Sequence, residues 1–209
     1  MNKASMDKTR LEAFSDGVIA IIITIMVREL KVPHGDNFDA LTSLIPVFLS
    51  YVLSFIYVGI YWNNHHHMLH TCHKITGSIL WANLHLLIWL SLFPFATAWM
   101  GENHYASLPS AFYGFILLMA AIAYFILQHL IIVSQGTNSL LKKAVGRDLK
   151  GKLSPALYMI AIAISFWAQW ISQAIFILVA LIWLVPDRRI EKVLVDKEIE
   201  RLNRIDSPK

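Results

Sequence analysis

Residues 10–27 read RLEAFSDGVIAIIITIMV, and this stretch decides the fold class of the chain. It predicts one helix that begins with an arginine and two acids and is otherwise apolar enough to enter a lipid bilayer. Charge at membrane depth is costly, so such residues usually face protein or water and mark an ion or substrate path. The long side chains of Arg10 and Glu12 can alternatively reach the headgroup level. The short side chain of Asp16 cannot reach so far.

The composition indicates a membrane protein that crosses the bilayer several times. Of the 209 residues, 56% are hydrophobic and only 15% are charged, whereas a soluble domain carries roughly 25% charged residues. A single cysteine, Cys72, cannot form a disulfide within the chain. The net charge of +4 does not indicate a nucleic-acid partner, because the basic residues flank apolar spans and orient them in the membrane.

Six apolar spans are predicted, which makes this an all-α integral membrane protein. They are Leu11–Leu30, Leu41–Trp62, Ile75–Met100, Ala111–Ser134, Pro155–Trp167 and Ala174–Val185. The last two are shorter than the roughly 20 residues of a full crossing. We therefore expect a helical hairpin with a tight turn at Gln169–Gln173; one long bent element is the alternative. Residues 1–186 form the six-helix membrane domain, and residues 187–209 form a charged tail that is expected to be helical.

Basic residues predict the orientation of these spans. In a six-span arrangement, 16 of the 18 lysines and arginines lie on one side, and only Arg28 and Lys31 lie on the other. Because lysine and arginine concentrate on the cytoplasmic side, both termini are predicted to be cytoplasmic. The expected location is a prokaryotic plasma membrane.

One face of the first helix combines polar and branched apolar side chains. Gly17, Ile21, Thr24, Ile25 and Arg28 share that face at helical spacing. Plain core packing would explain the isoleucines but not the polar residues. A ring of such aliphatic side chains from several subunits would form a narrow hydrophobic constriction, which can gate by excluding water. The carbonyl filter motif Thr-Val-Gly-Tyr-Gly is absent from the sequence.

The histidine run at 65–67, followed by His70 and His73, permits two interpretations. Clustered histidines occur in membrane-bound metalloenzymes, although Asp16 is the one acidic residue that could join them. The other interpretation is a polar network at the cytoplasmic end of the first helix. Asn83 lies near the same depth and is a candidate partner, since a buried polar group needs a hydrogen bond.

A secondary transporter is another possible function for the whole chain, but no inverted repeat or pair of broken helices is visible in the sequence.

Three groups of residues resemble the transmembrane protein 175 family, the endolysosomal potassium channels and their prokaryotic homologues. The pattern Arg-x-x-x-Phe-Ser-Asp opens the first helix, the pattern Trp-x-x-His-His ends the second, and an asparagine precedes a proline by eleven residues in the third. The residues that carry the resemblance are Arg10, Phe14, Ser15, Asp16, Trp62, His65, His66, Asn83 and Pro94. The resemblance covers spans one to three by motif and spans four to six by topology alone.

The resemblance implies a homotetrameric cation channel whose first helices line a central pore. Potassium, with other monovalent cations, is the implied permeant ion, and no cofactor is implied. The resemblance places the constriction at Ile21 and a Thr24 hydroxyl facing the ion. Ile25 joins the constriction because it shares the same helix face. Arg28 departs from the family pattern, which often has an aliphatic residue at this position. Four arginines in an outer vestibule would repel cations unless they are paired, for example with Glu29 of a neighbouring subunit.

The resemblance also implies a structural role for the motif residues. Arg10, Ser15 and Asp16 would bond to His65 and Asn83 and hold the pore helix, without touching the ion. Phe14 and Trp62 belong to the same supporting network.

Overall fold

The computed structural model describes residues 8–72, 74–136, 139–146 and 148–184, and the regular structure in these segments is helical throughout. The helices follow one another along the chain as α1 (Lys8–Arg28), α2 (Phe38–Thr42), α3 (Ile45–His70), α4 (Gly77–Ser91), α5 (Phe93–Glu102), α6 (Ser107–Gln135), α7 (Leu140–Val145), α8 (Leu149–Ile164) and α9 (Gln169–Leu184). The predicted tail at 187–209 lies outside the described residues.

Three helical stretches of the described chain are long and apolar enough to cross a membrane by themselves. They are Ile45–His70, Gly77–Glu102 and Ser107–Gln135. The second joins α4 and α5 across Leu92, and Pro94 occupies the first turn of α5, where a missing backbone N–H costs least. Helix α1 has 21 residues but carries several charges, and α8 and α9 have 16 residues each. The all-helical membrane class of the sequence prediction agrees with these lengths.

The turn between the last two helices differs from the prediction. It falls at residues 165–168, and the polar segment Gln169–Gln173 forms the start of α9. Gln169 Nε2 donates to Ser107 Oγ at 2.8 Å, and Gln173 Nε2 donates to Ser110 Oγ at 3.0 Å. Both glutamines are therefore satisfied by α6 and can remain inside a helix, which the sequence pattern alone does not reveal.

Helix α6 is the centre of the bundle and contacts α4, α5, α8 and α9. Helix α3 packs against α1, α5 and α9, so it connects the first helix to the last. The rings of Tyr113 and Phe176 meet edge to face with centroids 5.4 Å apart in the fully buried core. Ser54 links Tyr113 and Thr97 by hydrogen bonds of 2.9 and 2.7 Å. These contacts join α3, α5, α6 and α9 in one core.

Gly101 sets the spacing between α3 and α5. A Cβ atom at Gly101 would lie 2.7 Å from the Cα atom of Val47, which is backbone and cannot rotate away. We expect Gly101→Ala to lower the free energy of unfolding by about 1–3 kcal/mol, as overpacking does elsewhere. Gly59→Ala is the matched control, since a Cβ at Gly59 meets nothing within 4 Å. Thermal unfolding in detergent measures both variants, and equal midpoints would contradict the close approach.

Candidate functional site

Helix α1 has one face that is covered by the rest of the chain. Its buried residues are Leu11, Ser15, Ile19, Ile22 and Met26. They recur every three or four positions and so form one stripe along the helix. This stripe packs against α3, α4 and α5. The orientation of α1 about its own axis is therefore determined by contacts within one chain.

The opposite face of α1 is bare in the single chain. Ile21 is 59% exposed and Ile25 is 43% exposed, and Gly17, Thr24 and Arg28 are exposed beside them. The Thr24 hydroxyl donates to the carbonyl of Ala20 at 2.9 Å, which leaves its oxygen lone pairs on the open side. The face that the sequence pattern selected is thus the face that the fold leaves uncovered.

A buried polar network joins α1 to α3 and α4. Asn83 Nδ2 donates to Ser15 Oγ at 2.9 Å, and Asn83 Oδ1 lies 2.6 Å from His65 Nε2. Ser15 in turn donates to the carbonyl of Leu11 at 2.9 Å. Ser15, His65 and Asn83 are at most 1% exposed. Because no water reaches these groups, each depends on the others for its hydrogen bonds.

A second set of contacts holds the N-terminal end of α1. Trp62 Nε1 donates to Asp16 Oδ1 at 3.0 Å. Lys8 Nζ donates to the carbonyl of His70 at 2.9 Å and lies 3.7 Å from the Glu12 carboxylate. Helix α3 therefore supports α1 through its last three turns, from Trp62 to His70.

The network differs from the expected one at three motif residues. Asp16 bonds to Trp62 and not to His65 or Asn83, because it lies one position beyond Ser15 and points about 100° further around the helix. Arg10 is exposed, and no described residue forms a hydrogen bond or ion pair with it. Phe14 is also 52% exposed. The residues that the structure brings together are thus Ser15 with Asn83 and His65, and Asp16 with Trp62.

An ion pair at the other end of α1 was missed by the sequence reasoning. Lys31 donates a hydrogen bond to Glu102, and both side chains are largely exposed. This hydrogen bond and the carboxylate charge raise the pKa of Lys31 above its usual value. The signal in the sequence was the isolation of Lys31 among apolar spans, but its partner is 71 residues away.

The histidines do not form a metal site in the described part of the chain. No group of three histidine, cysteine, aspartate or glutamate residues there is placed to hold a metal ion. His65 is engaged with Asn83, and the rings of His66 and His70 meet edge to face at 6.2 Å. His85 Nε2 accepts a hydrogen bond from Trp89, and the His129 ring stacks on Phe125.

These features define a class: a helical membrane protein whose polar-ended first helix is anchored on one face and open on the other. A family model for the endosomal/lysosomal potassium channel TMEM175 matches residues 10–94. A potassium channel of Chryseobacterium sp. is 58% identical over 189 residues, which cover 90% of this chain and 98% of that protein. A potassium channel of Chamaesiphon minutus is 30% identical over 187 residues, which cover 82% of this chain and 91% of that protein. The chain belongs to the TMEM175 family.

A solved structure has the same fold. It is the crystal structure of a lysosomal potassium-selective channel TMEM175 homolog from Chamaesiphon minutus, with a TM-score of 0.73 and 28% sequence identity. The match covers 86% of this chain and 97% of the other. The Gallus gallus protein named endosomal/lysosomal proton channel TMEM175 is 32% identical over 103 residues, but these cover only 21% of its length.

Proposed function

We infer that this chain is a subunit of a potassium-permeable channel in which copies of α1 line the conduction path. The observation that carries the inference is the bare face of α1, with Ile21 and Ile25 exposed and the opposite face anchored to α3, α4 and α5. An exposed face that carries Thr24 and Arg28 suits a water-filled axis better than acyl chains. The relatives from Chryseobacterium and Chamaesiphon are named potassium channels, which supports the permeant ion.

The proposed assembly is a homotetramer in the plasma membrane of a prokaryote. Each subunit crosses the bilayer six times, with α4 and α5 counted as one crossing together with α1, α3, α6, α8 and α9. Both termini lie in the cytoplasm, because 16 of the 18 lysines and arginines then lie on the inner side. The bilayer and the other subunits are the proposed partners, and no cofactor is proposed.

Conduction in this arrangement depends on a hydrophobic constriction instead of a carbonyl filter. Rings of Ile21 and Ile25 narrow the axis and disfavour water, so a small change in their spacing opens or closes the path. Thr24 lies between them on the same face, and its hydroxyl oxygen replaces part of the hydration shell of a passing cation. Potassium is favoured over more strongly hydrated ions because it loses water more readily. Sodium, which holds its hydration shell more strongly, passes less easily.

Planar-bilayer recording tests the proposal directly. Purified protein is reconstituted with potassium on one side and sodium on the other, and the reversal potential reports the ion preference. Discrete current steps whose reversal potential corresponds to a higher permeability for potassium than for sodium support the channel. Saturable flux without current steps would instead support a transporter.

Family membership removes the metalloenzyme alternative, since the family and these relatives are channels.

Arg28 is expected to limit the current. Arg28 is the last residue of α1 and lies on its exposed face, and no described residue forms an ion pair with it. We expect Arg28→Gln to raise inward potassium current about twofold at 0.1 M salt and to have little effect near 1 M, where the Debye length is about 3 Å. Lys31→Gln is the control, because Lys31 is already paired with Glu102. A current gain that persists in high salt would exclude the electrostatic explanation.

Arg10 is expected to act between subunits. It is exposed and unpaired in the described part of one chain, although it opens the motif. We expect Arg10→Ala to reduce the tetramer fraction in size-exclusion chromatography with little change in the unfolding of the single chain. Lys74→Ala removes another exposed basic side chain and should leave the tetramer intact. A normal tetramer yield from Arg10→Ala would contradict this role.

A further inference from the structure

A groove lies between α3 and α9, and its cavity volume is about 740 Å³. The loop between α5 and α6 contributes His104 and Tyr105 to its lining. No described residue of α1 lines it. The groove is therefore separate from the proposed conduction path along α1.

The groove is about as deep as one leaflet of a bilayer. Residues 49–56 on α3 and residues 169–177 on α9 bound its lining, which corresponds to about 10–12 Å of helix at 1.5 Å per residue. At the deep end, Tyr57 Oη donates to the Phe176 carbonyl at 2.6 Å, and both residues are buried. The two helices touch at that level and close the groove. Half of a hydrocarbon core is about 15 Å thick, so the groove ends near the middle of the bilayer.

The two ends of the groove differ in polarity. The closed end is lined by Leu53, Ile56 and Ile177, whose side chains offer no hydrogen bond to a water molecule. The open end carries Tyr105 and Trp170, and Trp170 is 74% exposed. Tyrosine and tryptophan concentrate at the membrane–water interface. The lining thus changes from interfacial to apolar along its length, as the two parts of a lipid molecule do.

The open end also presents hydrogen-bond acceptors without a strong charge. The amide nitrogens of Gln169 and Gln173 donate to Ser107 and Ser110 of α6, so the two Oε1 atoms remain to accept. Among the described residues that line the groove, none is a lysine, arginine, aspartate or glutamate. His104 is exposed at the mouth. These groups suit a headgroup that donates N–H groups and carries no net charge.

We propose that this groove binds one phospholipid with an ethanolamine headgroup. One acyl chain fills the apolar part, the ammonium N–H groups donate to the Gln169 and Gln173 amide oxygens, and the His104 ring donates to the phosphate. A helix from a second copy fits less well, because a helix is about 10–12 Å wide and would have to leave the groove where α3 and α9 meet. In the proposed orientation the lipid belongs to the outer leaflet. That leaflet rests on the proposed function, whereas binding itself does not.

Native mass spectrometry of the full chain measures the bound lipid. The protein is titrated in detergent with dioleoyl phosphatidylethanolamine, or with the choline lipid of the same chains, whose quaternary nitrogen has no N–H group. We expect one ethanolamine lipid to bind per subunit. The choline lipid should bind about tenfold more weakly, the factor for about one hydrogen bond to a charged group. Equal affinities for the two lipids, or no saturable binding, would overturn the proposal.

A variant that fills the groove tests its location. Ala174 is exposed and lines the groove, so Ala174→Trp should lose the bound ethanolamine lipid. Ala163→Trp is the matched control, because Ala163 is an exposed alanine near the end of α8 that does not line the groove. Equal loss from both variants would place the lipid elsewhere. The headgroup comparison uses the unaltered protein, so it decides the proposal even where Ala174→Trp does not fold.

Two further results separate this site from other occupants and from the channel itself. If Ala174→Trp keeps the lipid but lowers the tetramer fraction in size-exclusion chromatography, a second copy occupies the groove and the lipid proposal fails. Lipid binding is measured without any current. The absence of potassium current would therefore contradict the proposed channel and leave the lipid result to decide the groove.

Discussion

Ile21→Asn is expected to raise potassium current through the channel about tenfold. Asparagine is polar and smaller than isoleucine, so it widens the constriction and lets water remain there. A tenfold rise corresponds to a barrier lowered by about 1.4 kcal/mol, a modest change for four polar groups that meet at one level. Open-state current and baseline leak in planar bilayers are the quantities to measure. Ion preference should also weaken, because a wider, wetter passage strips less water from the ion.

A matched control separates the constriction from the general effect of asparagine in a membrane helix. Ile177 lies on α9 and is 48% exposed, against 59% for Ile21. Helix α9 packs against α3, α6 and α8, so Ile177→Asn should leave the current near the wild-type value. If Ile21→Asn forms channels of unchanged current, Ile21 does not line the narrowest point. If both variants change the potassium current equally, the change comes from placing a polar residue in the membrane and not from the constriction.

The second large effect is expected from Asn83→Ala. This change removes the partner of both Ser15 and His65 and leaves their polar groups buried. Unsatisfied buried groups cost about 1–3 kcal/mol, although hydrogen bonds between membrane helices average nearer 0.6 kcal/mol. Two bonds are lost here, so we expect the free energy of unfolding to fall by about 2 kcal/mol. Unfolding by SDS titration measures this value.

Asn64→Ala is the control for that measurement. Asn64 lies on α3 one residue before His65, and among the described residues its amide donates to the Ile60 carbonyl of its own helix and to no other helix. Its removal should change the free energy of unfolding by less than about 0.5 kcal/mol. If Asn83→Ala and Asn64→Ala are equally stable, the network does not anchor α1. A destabilised Asn83→Ala that still forms tetramers of normal current would place its role in folding alone.

Hydrophobic periodicity predicted most of the helical architecture. Four predicted spans overlap α1, α3, the α4–α5 pair and α6, because a run of about 20 apolar residues has few alternatives to a helix in lipid. The boundaries at Gln169–Gln173 were wrong, because the polar side chains that indicated a turn are satisfied by Ser107 and Ser110 of α6. Partners more than 60 residues away leave no local signal.

The polar contacts of α1 show the same limit. Ser15 and Asn83 were expected in one network from the family resemblance, and they lie in hydrogen-bond contact. The pairing of Asp16 with Trp62 depends on how α1 and α3 are rotated against each other, which periodicity does not specify. Which face of α1 is bare likewise depends on the packing of α3, α4 and α5 around it.

The sequence alone indicates that the chain is a helical membrane protein and that its first helix has polar ends and one face of mixed polar and apolar residues. Those properties follow from local composition and from the 3.6-residue helical repeat. The packing of the helices is needed to establish which buried polar groups pair and which face of α1 stays open. These pairings and exposures depend on how helices that are far apart in sequence are rotated and how closely they approach. No short stretch of residues specifies that rotation or that distance.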